Sequence, residues 1–196
     1  MKTHQAQVYM KYLLFVCRRD ILQKKKLNHH YYVALKKALF KPAGFFKGFL
    51  FPLCQQQCTL KEAVIIASIL SKCSLPVLHA SAAIMKLCQL PYSGATSIFL
   101  KTLIDKKFAL PYKVVDAIVD HITSFTSGQM TVLWFQSFLV FSQRYKHDLS
   151  PTQRDRLLQT CKRHKHHLIT PEIKKELKLV NRMAVDTPFV DVVMQT

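Results

Sequence analysis

The chain has 196 residues, 49% of them hydrophobic, and sets 29 lysines and arginines against 11 acids for a net charge of +18. That apolar fraction excludes a disordered chain and is enough for one packed domain or one helical array, with the charge held outside the core. Solubility asks for roughly 2 to 8 net charges on a small domain, so the excess points to an anionic partner.

The charge is concentrated at the start. Residues 1–50 hold 11 basic residues and one acid, Asp20, whereas residues 51–150 and 151–196 contribute +4 each. Helical periodicity predicts segments at 5–16 and 18–27. Val8–Cys17 imitates a signal peptide, but Lys11 interrupts it and Arg18-Arg19 follow where a small-residue cleavage site belongs, so secretion is not expected. No stretch reaches the ~18 apolar residues of a membrane span. Lys24, Lys25 and Lys26 fan over about 200° of helix surface.

The next segments are expected at 29–41 and 43–53. They carry Lys36, Lys37, Lys41 and Lys47, with Tyr31, Tyr32, Phe40, Phe45 and Phe46 between them. Lys37 and Lys41 stand four apart on one face, a repulsion of about 0.2–0.5 kcal/mol that a phosphate backbone would relieve. Tyr31, Tyr32, Phe45 and Phe46 are candidates for stacking on unpaired bases; Tyr32, Phe40 and Phe45 are read first as core. Arg18, Arg19 and Lys113 are assigned to the same basic surface. Lysines outnumber arginines 22 to 7, which favours diffuse backbone contact over bidentate base reading.

Further helices are read at 59–73, 75–89, 93–107, 111–126, 130–147, 151–164 and 171–180. Thr59-Leu-Lys-Glu62 is a capping box, and Ser150-Pro151 and Thr170-Pro171 each put a capping hydroxyl before a proline at the first helical position. Ala63–Leu70 is apolar nearly all round and should be flanked on both sides. Lys106-Lys107, after Asp105 at a helix end, suits either a helix dipole or a phosphate. Val114, Val115, Ile118, Val119, Ile122 and Phe125 form an apolar stripe; Asp116 and Asp120 share the opposite face and are candidate contacts for a basic partner. Consecutive helices of about fifteen residues joined by short turns predict an all-α fold of stacked antiparallel pairs, a HEAT-like α-solenoid. Residues 1–184 are expected to form this domain and 185–196 an extended C-terminal tail.

Catalytic and metal signatures are weak. His121 beside Asp120 points ~100° away from it, no Gly-flanked nucleophile accompanies them, and so few glycines hold no phosphate loop. Cys161-Lys-Arg-His-Lys-His-His167 surrounds its would-be ligands with cations, and Cys54 and Cys58 lack zinc or redox spacing. No enzyme activity, metal, cofactor or small-molecule substrate is expected. The six cysteines carry no small-scaffold spacing and suit reduced thiols in cytosol or nucleus.

One phrase is far more specific than these patterns: the unbroken run from Tyr92 through Ser-Gly-Ala-Thr-Ser-Ile-Phe-Leu-Lys-Thr-Leu-Ile-Asp-Lys-Lys-Phe-Ala-Leu-Pro-Tyr-Lys-Val-Val-Asp-Ala-Ile-Val-Asp to His121. It resembles the central signature of the bystin family, assembly factors of the small ribosomal subunit. Leu35–Pro42, Phe46–Gly48, Cys58–Ala63 and Ser71–Ala83 upstream resemble the same family, as do Val132–Trp134, Gln143–Lys146 and Pro171–Leu177 downstream. The longer, partly acidic N-terminal region that relatives carry has no counterpart here, and Phe135 replaces a polar residue. The resemblance implies an all-helical fold and a non-catalytic factor in 40S biogenesis and rRNA processing. Its implied partners are small-subunit pre-rRNA and small nucleolar RNA, other pre-40S factors and ribosomal proteins of the subunit head. The implied location is the nucleus and nucleolus, with a cytoplasmic phase on late pre-40S particles. On that reading Lys24, Lys25, Lys26, Lys36, Lys37, Lys41, Lys47, Lys106 and Lys107 are the candidate RNA contacts, and Asp116 and Asp120 the candidate partner contacts. The alternative is a HEAT-like protein–protein adaptor that docks acidic partners without binding RNA, and attachment of the Val8–Lys26 region to anionic membrane is a weaker third.

Overall fold

The structure, a computed structural model, describes residues 3–126 and 128–185, whose regular elements are all helical. The first, α1 (Thr3–Lys24), runs unbroken where the periodicity predicts two segments. No proline or glycine interrupts it, and Cys17, between the two expected segments, is part of the continuous helix. Lys25 then turns the chain with φ +56°, a left-handed stop. Asp20 accepts the Asn28 backbone N–H at 2.7 Å, and the Asn28 side chain caps α2 (His29–Ala38) through His30 N–H.

The run from Pro42 to Gln55 is continuous but not uniform: α3 (Pro42–Phe45), a π turn (Phe46–Leu50) and α4 (Phe51–Gln55). The wide turn lies just ahead of Pro52, which has no N–H to give and whose ring collides with the carbonyl four residues back in a regular helix. At the π turn α1 crosses at closest range. A Cβ at Gly48 would stand 2.8 Å from both the Gln7 carbonyl oxygen and the Met10 Cβ. Gly48→Ala is therefore expected to force the two helices apart and to destabilise by about 1–3 kcal/mol, read as a lowered urea midpoint.

The remaining helices, α5 (Leu60–Lys72), α6 (Val77–Gln89), α7 (Gly94–Ile104), α8 (Tyr112–Thr123), α9 (Val132–Tyr145), α10 (Pro151–Arg163) and α11 (Ile169–Val185), alternate between two layers. In one, α5 packs on α7, α7 on α9 and α9 on α11; in the other, α6 packs on α8 and α8 on α10. The architecture is all-α, a two-layered helical array, and one apolar core runs through it from Met10 to Leu177. Five of the six aromatic side chains with the deepest burial are phenylalanines, Phe45, Phe49, Phe99, Phe138 and Phe141; the sixth is Trp134.

Capping decides most boundaries. Thr59 and Glu62 close the expected box, with the Thr59 N–H on Glu62 Oε2 at 2.8 Å. Ser150 caps α10 and receives Gln153 in return. A further box, Ser93 with Thr96, opens α7 and has a hydroxyl where the usual motif has a carboxamide or carboxylate. Thr170 does not cap α11. The helix begins at Ile169 because the His166 ring nitrogen accepts the Leu168 and Ile169 N–H groups, while the Thr170 hydroxyl accepts the His166 N–H. The helix continues past the expected end at 180 to Val185, the first residue of the expected 185–196 tail; the rest of that tail lies outside the described residues.

Candidate nucleic-acid interface

The N-terminal surplus of charge surrounds α2. On one flank an open groove of about 610 Å³ is lined by Lys25, Lys26 and Lys61 around Leu27, Tyr32 and Val64. Lys36 Nζ lies 5.8 Å from the centre of the Tyr32 ring, which is part of that lining. On the other flank, against α1, Lys37 and Lys41 stand with His30 and Phe40 around a hollow of about 420 Å³. The helix thus presents lysine on both sides.

Few acids offset this. Asp20 is taken by Lys24 at 2.9 Å and Glu62 by Arg18 at 2.8 Å. Among the described residues, Lys11, Arg19, Lys25, Lys26, Lys36, Lys37 and Lys47 form no ion pair. The bond from Lys24 and then that from the Asn28 N–H hold the Asp20 carboxyl below its usual range. For Glu62 burial pushes upward, but the Thr59 and Arg18 hydrogen bonds outweigh it and the net direction is down. Both acids stay charged at neutral pH and are already engaged. Lys24 and Arg18 are therefore paired within the chain, and the cations without an ion pair are their neighbours.

The aromatic expectations divide. Phe45 and Phe46 are buried, stacked among Phe49 and Phe51, and stack on no base. Phe40 is 88% exposed, not core, because α2 ends at Ala38 and the chain turns before Pro42. Tyr31 and Tyr32 are half-buried. The exposed ring next to Lys37 and Lys41 is Phe40, which the expected helix over 29–41 would have kept within its span; α2 stops three residues earlier than that, at Ala38.

The other candidates lie elsewhere. Lys106 donates to the Cys73 carbonyl at 2.7 Å and the Ser71 carbonyl at 3.1 Å, which makes it the C-terminal cap of α5. Lys25 and Lys61 stand at the opposite end of that helix, about 20 Å away for thirteen residues. Lys107 is exposed, in the left-handed region at φ +58°. Asp116 accepts from Gln153 Nε2 at 2.6 Å, and Asp120 from Arg156 at 2.9 Å, so both candidate partner contacts are joined to α10 within the chain. Exposed pairs like these contribute about 0–1 kcal/mol; they set the registry of α8 against α10.

The groups weighed for chemistry have internal roles. Burial pushes the Cys17, Cys54, Cys58, Cys88 and Cys161 thiols up to about 12, so none is a thiolate at neutral pH. His164 Nε2 bonds the Phe125 carbonyl, and its ring meets Trp134 edge-on. His121 Nδ1 on α8 bonds the Cys88 carbonyl of α6 at 3.0 Å, within one layer. Burial holds this imidazole below its ordinary value of 6.5, offset in part by that bond. The folded chain therefore resists a proton that the unfolded chain accepts, so the stability is whole above about pH 6.5 and falls as pH drops below it. Between pH 7 and 5.5 the melting temperature is expected to fall more steeply for the native chain than for His121→Gln, followed by circular dichroism.

Comparison with known proteins adds identity to this geometry. A family model described as Bystin matches residues 1–186. The chain belongs to the bystin family. It is 55% identical over 161 residues to Bystin of Nematostella vectensis, covering 81% of this chain and 37% of that protein. With Bystin of Homo sapiens it shares 49% over 194 residues, 96% of this chain and 44% of the relative. With Bystin of Arabidopsis thaliana it shares 46% over 196 residues, 97% and 44% respectively. The bystin-family chain thus spans about two fifths of the length of the curated relatives it matches. Its lysine-flanked α2 includes the first half of Leu35–Pro42, one of the blocks that carry the family resemblance.

Proposed function

We propose that this bystin-family chain is a non-catalytic scaffold of small-subunit (40S) ribosome biogenesis that holds precursor rRNA against α2. The observation that carries the reading is the set of lysines on both flanks of one helix, Lys25, Lys26, Lys36 and Lys37, with every nearby acid already engaged. Lysine ammonium groups on a convex helical surface suit the phosphate and sugar backbone, so the recognition is of shape and charge. Phe40 supplies an exposed ring for an unpaired base beside them. Other pre-40S factors, head ribosomal proteins and small nucleolar RNA belong to the same proposal, as do nucleolar residence and a late cytoplasmic phase. The scaffold would keep an rRNA segment from maturing early and then leave.

The test is ultraviolet crosslinking of the chain to RNA in cell extract, followed by sequencing of the bound fragments. Enrichment of small-subunit precursor sequence is expected; crosslinks to no RNA, or evenly to all RNA, would contradict it. The adaptor reading draws on the same lysines and on the apolar floor of their grooves. Binding to acidic peptide but not to structured RNA at physiological salt would favour it.

A further inference from the structure

Helix α1 is apolar on two sides. Met10, Leu13, Cys17 and Ile21 are buried in the core or against it. Val8, Tyr12, Phe15 and Leu22 are instead 56%, 69%, 63% and 68% exposed. Their spacing, with Arg19 completing it, places them in one stripe about 80° wide. A soluble helix that is apolar on both faces ordinarily has something on each.

Beside the stripe a groove of about 1000 Å³ separates α1 from the start of α5, with Leu14, Ile21 and Pro52 in its floor. Phe15 and Leu22 belong to both stripe and groove. The floor holds one ion pair, Arg18 with Glu62, which is neutral as a unit. The rim is different: Lys11, Arg19, Lys25 and Lys61 all border the groove, and none of the four forms an ion pair among the described residues.

We propose that this groove receives an amphipathic helix of a partner protein, apolar along one face and bordered by aspartate and glutamate. Three features select that occupant. An apolar floor gives nothing to a phosphate backbone and gains from covering by side chains. A bilayer meets protruding surfaces, whereas here Leu14 and Pro52 lie recessed between two helices. A second copy of the chain would bring two basic rims together, while an acidic border meets them with opposite charge. From Val8 to Leu22 the stripe extends about 21 Å, enough for anchors at i, i+3, i+4 and i+7 of a docked helix. The groove shares Lys25 and Lys61 with the basic groove beside α2, but its exposed stripe lies on α1, away from Lys36 and Lys37.

The probe is a fluorescein-labelled designed helix of about 18 residues with leucine and phenylalanine on one face and glutamate on its borders, beside a twin with lysine borders. Anisotropy titration of the full chain should show the glutamate form binding at least about tenfold tighter than the lysine form. Phe15→Ser with Leu22→Ser, both exposed, should weaken it at least about tenfold with unchanged helicity. Lys36→Glu with Lys37→Glu, on α2, should leave peptide affinity as it was while RNA binding falls. The proposal is overturned if neither peptide binds, if the two bind alike, or if the serine variant binds undiminished. It is also overturned if sedimentation finds a dimer that the serine variant splits, or if anionic vesicles capture the chain through the same two residues.

Discussion

Replacing Lys26, Lys36 and Lys37 together by glutamate is expected to weaken binding to small-subunit precursor transcript by about 100-fold or more at low salt. The three stand on both flanks of α2, exposed and without ion pairs among the described residues. Each substitution removes a counterion-releasing ammonium group and adds a repulsive charge. The salt dependence should therefore flatten by roughly 0.7–0.9 in log K per log salt for each phosphate no longer neutralised. Far-ultraviolet circular dichroism should be unchanged, since none of these side chains is buried. Lys106→Glu should behave in the opposite way. Its amine caps α5 through the Cys73 and Ser71 carbonyls, so its loss is expected to lower stability more than it lowers RNA affinity.

Trp134→Ala is the substitution expected to damage the fold most. The indole is 1% exposed on α9 and meets Phe125, Phe135, Phe138 and His164 edge-on within 6.2 Å. These partners come from α9 itself, from the segment after α8 and from the end of α10, so the ring joins the two layers. Truncation leaves a cavity that rigid neighbouring helices close only in part, at a cost of about 3–5 kcal/mol. For a chain of this size that corresponds to a fall in melting temperature of roughly 6–20 °C, readable by calorimetry. Phe40→Ala, with the same loss of an aromatic ring at an 88% exposed position, should leave the melting temperature nearly where it was.

These contrasts show where sequence patterns carry information and where they do not. The helical array is legible because most helices have their own punctuation: Thr59 with Glu62, Ser150 with Gln153, and prolines between segments. Those signals act within three or four residues, so they survive in a linear reading. The long α1 reads as two helices, at 5–16 and 18–27, whereas the contacts that hold Arg18 on the fold come from the distant Gln56, Gln57 and Glu62. Lys106, Asp116 and Asp120 look available for the same reason. Their partners are 33 to 37 residues away in sequence and become neighbours only once the layers stack. The basic surface itself is legible as composition, but its arrangement around α2 follows from how that helix sits against α1 and α5. The exposed stripe of α1 carries the same helical period as a core face, and nothing local distinguishes the two.

The salt dependence of binding between the purified chain and a small-subunit precursor transcript bears most directly on the role of α2. A steep linear fall of log K with log salt is predicted, with a slope of several units that diminishes when Lys26, Lys36 and Lys37 are all replaced by glutamate. No binding in dilute buffer, or affinity that does not respond to salt, would contradict it.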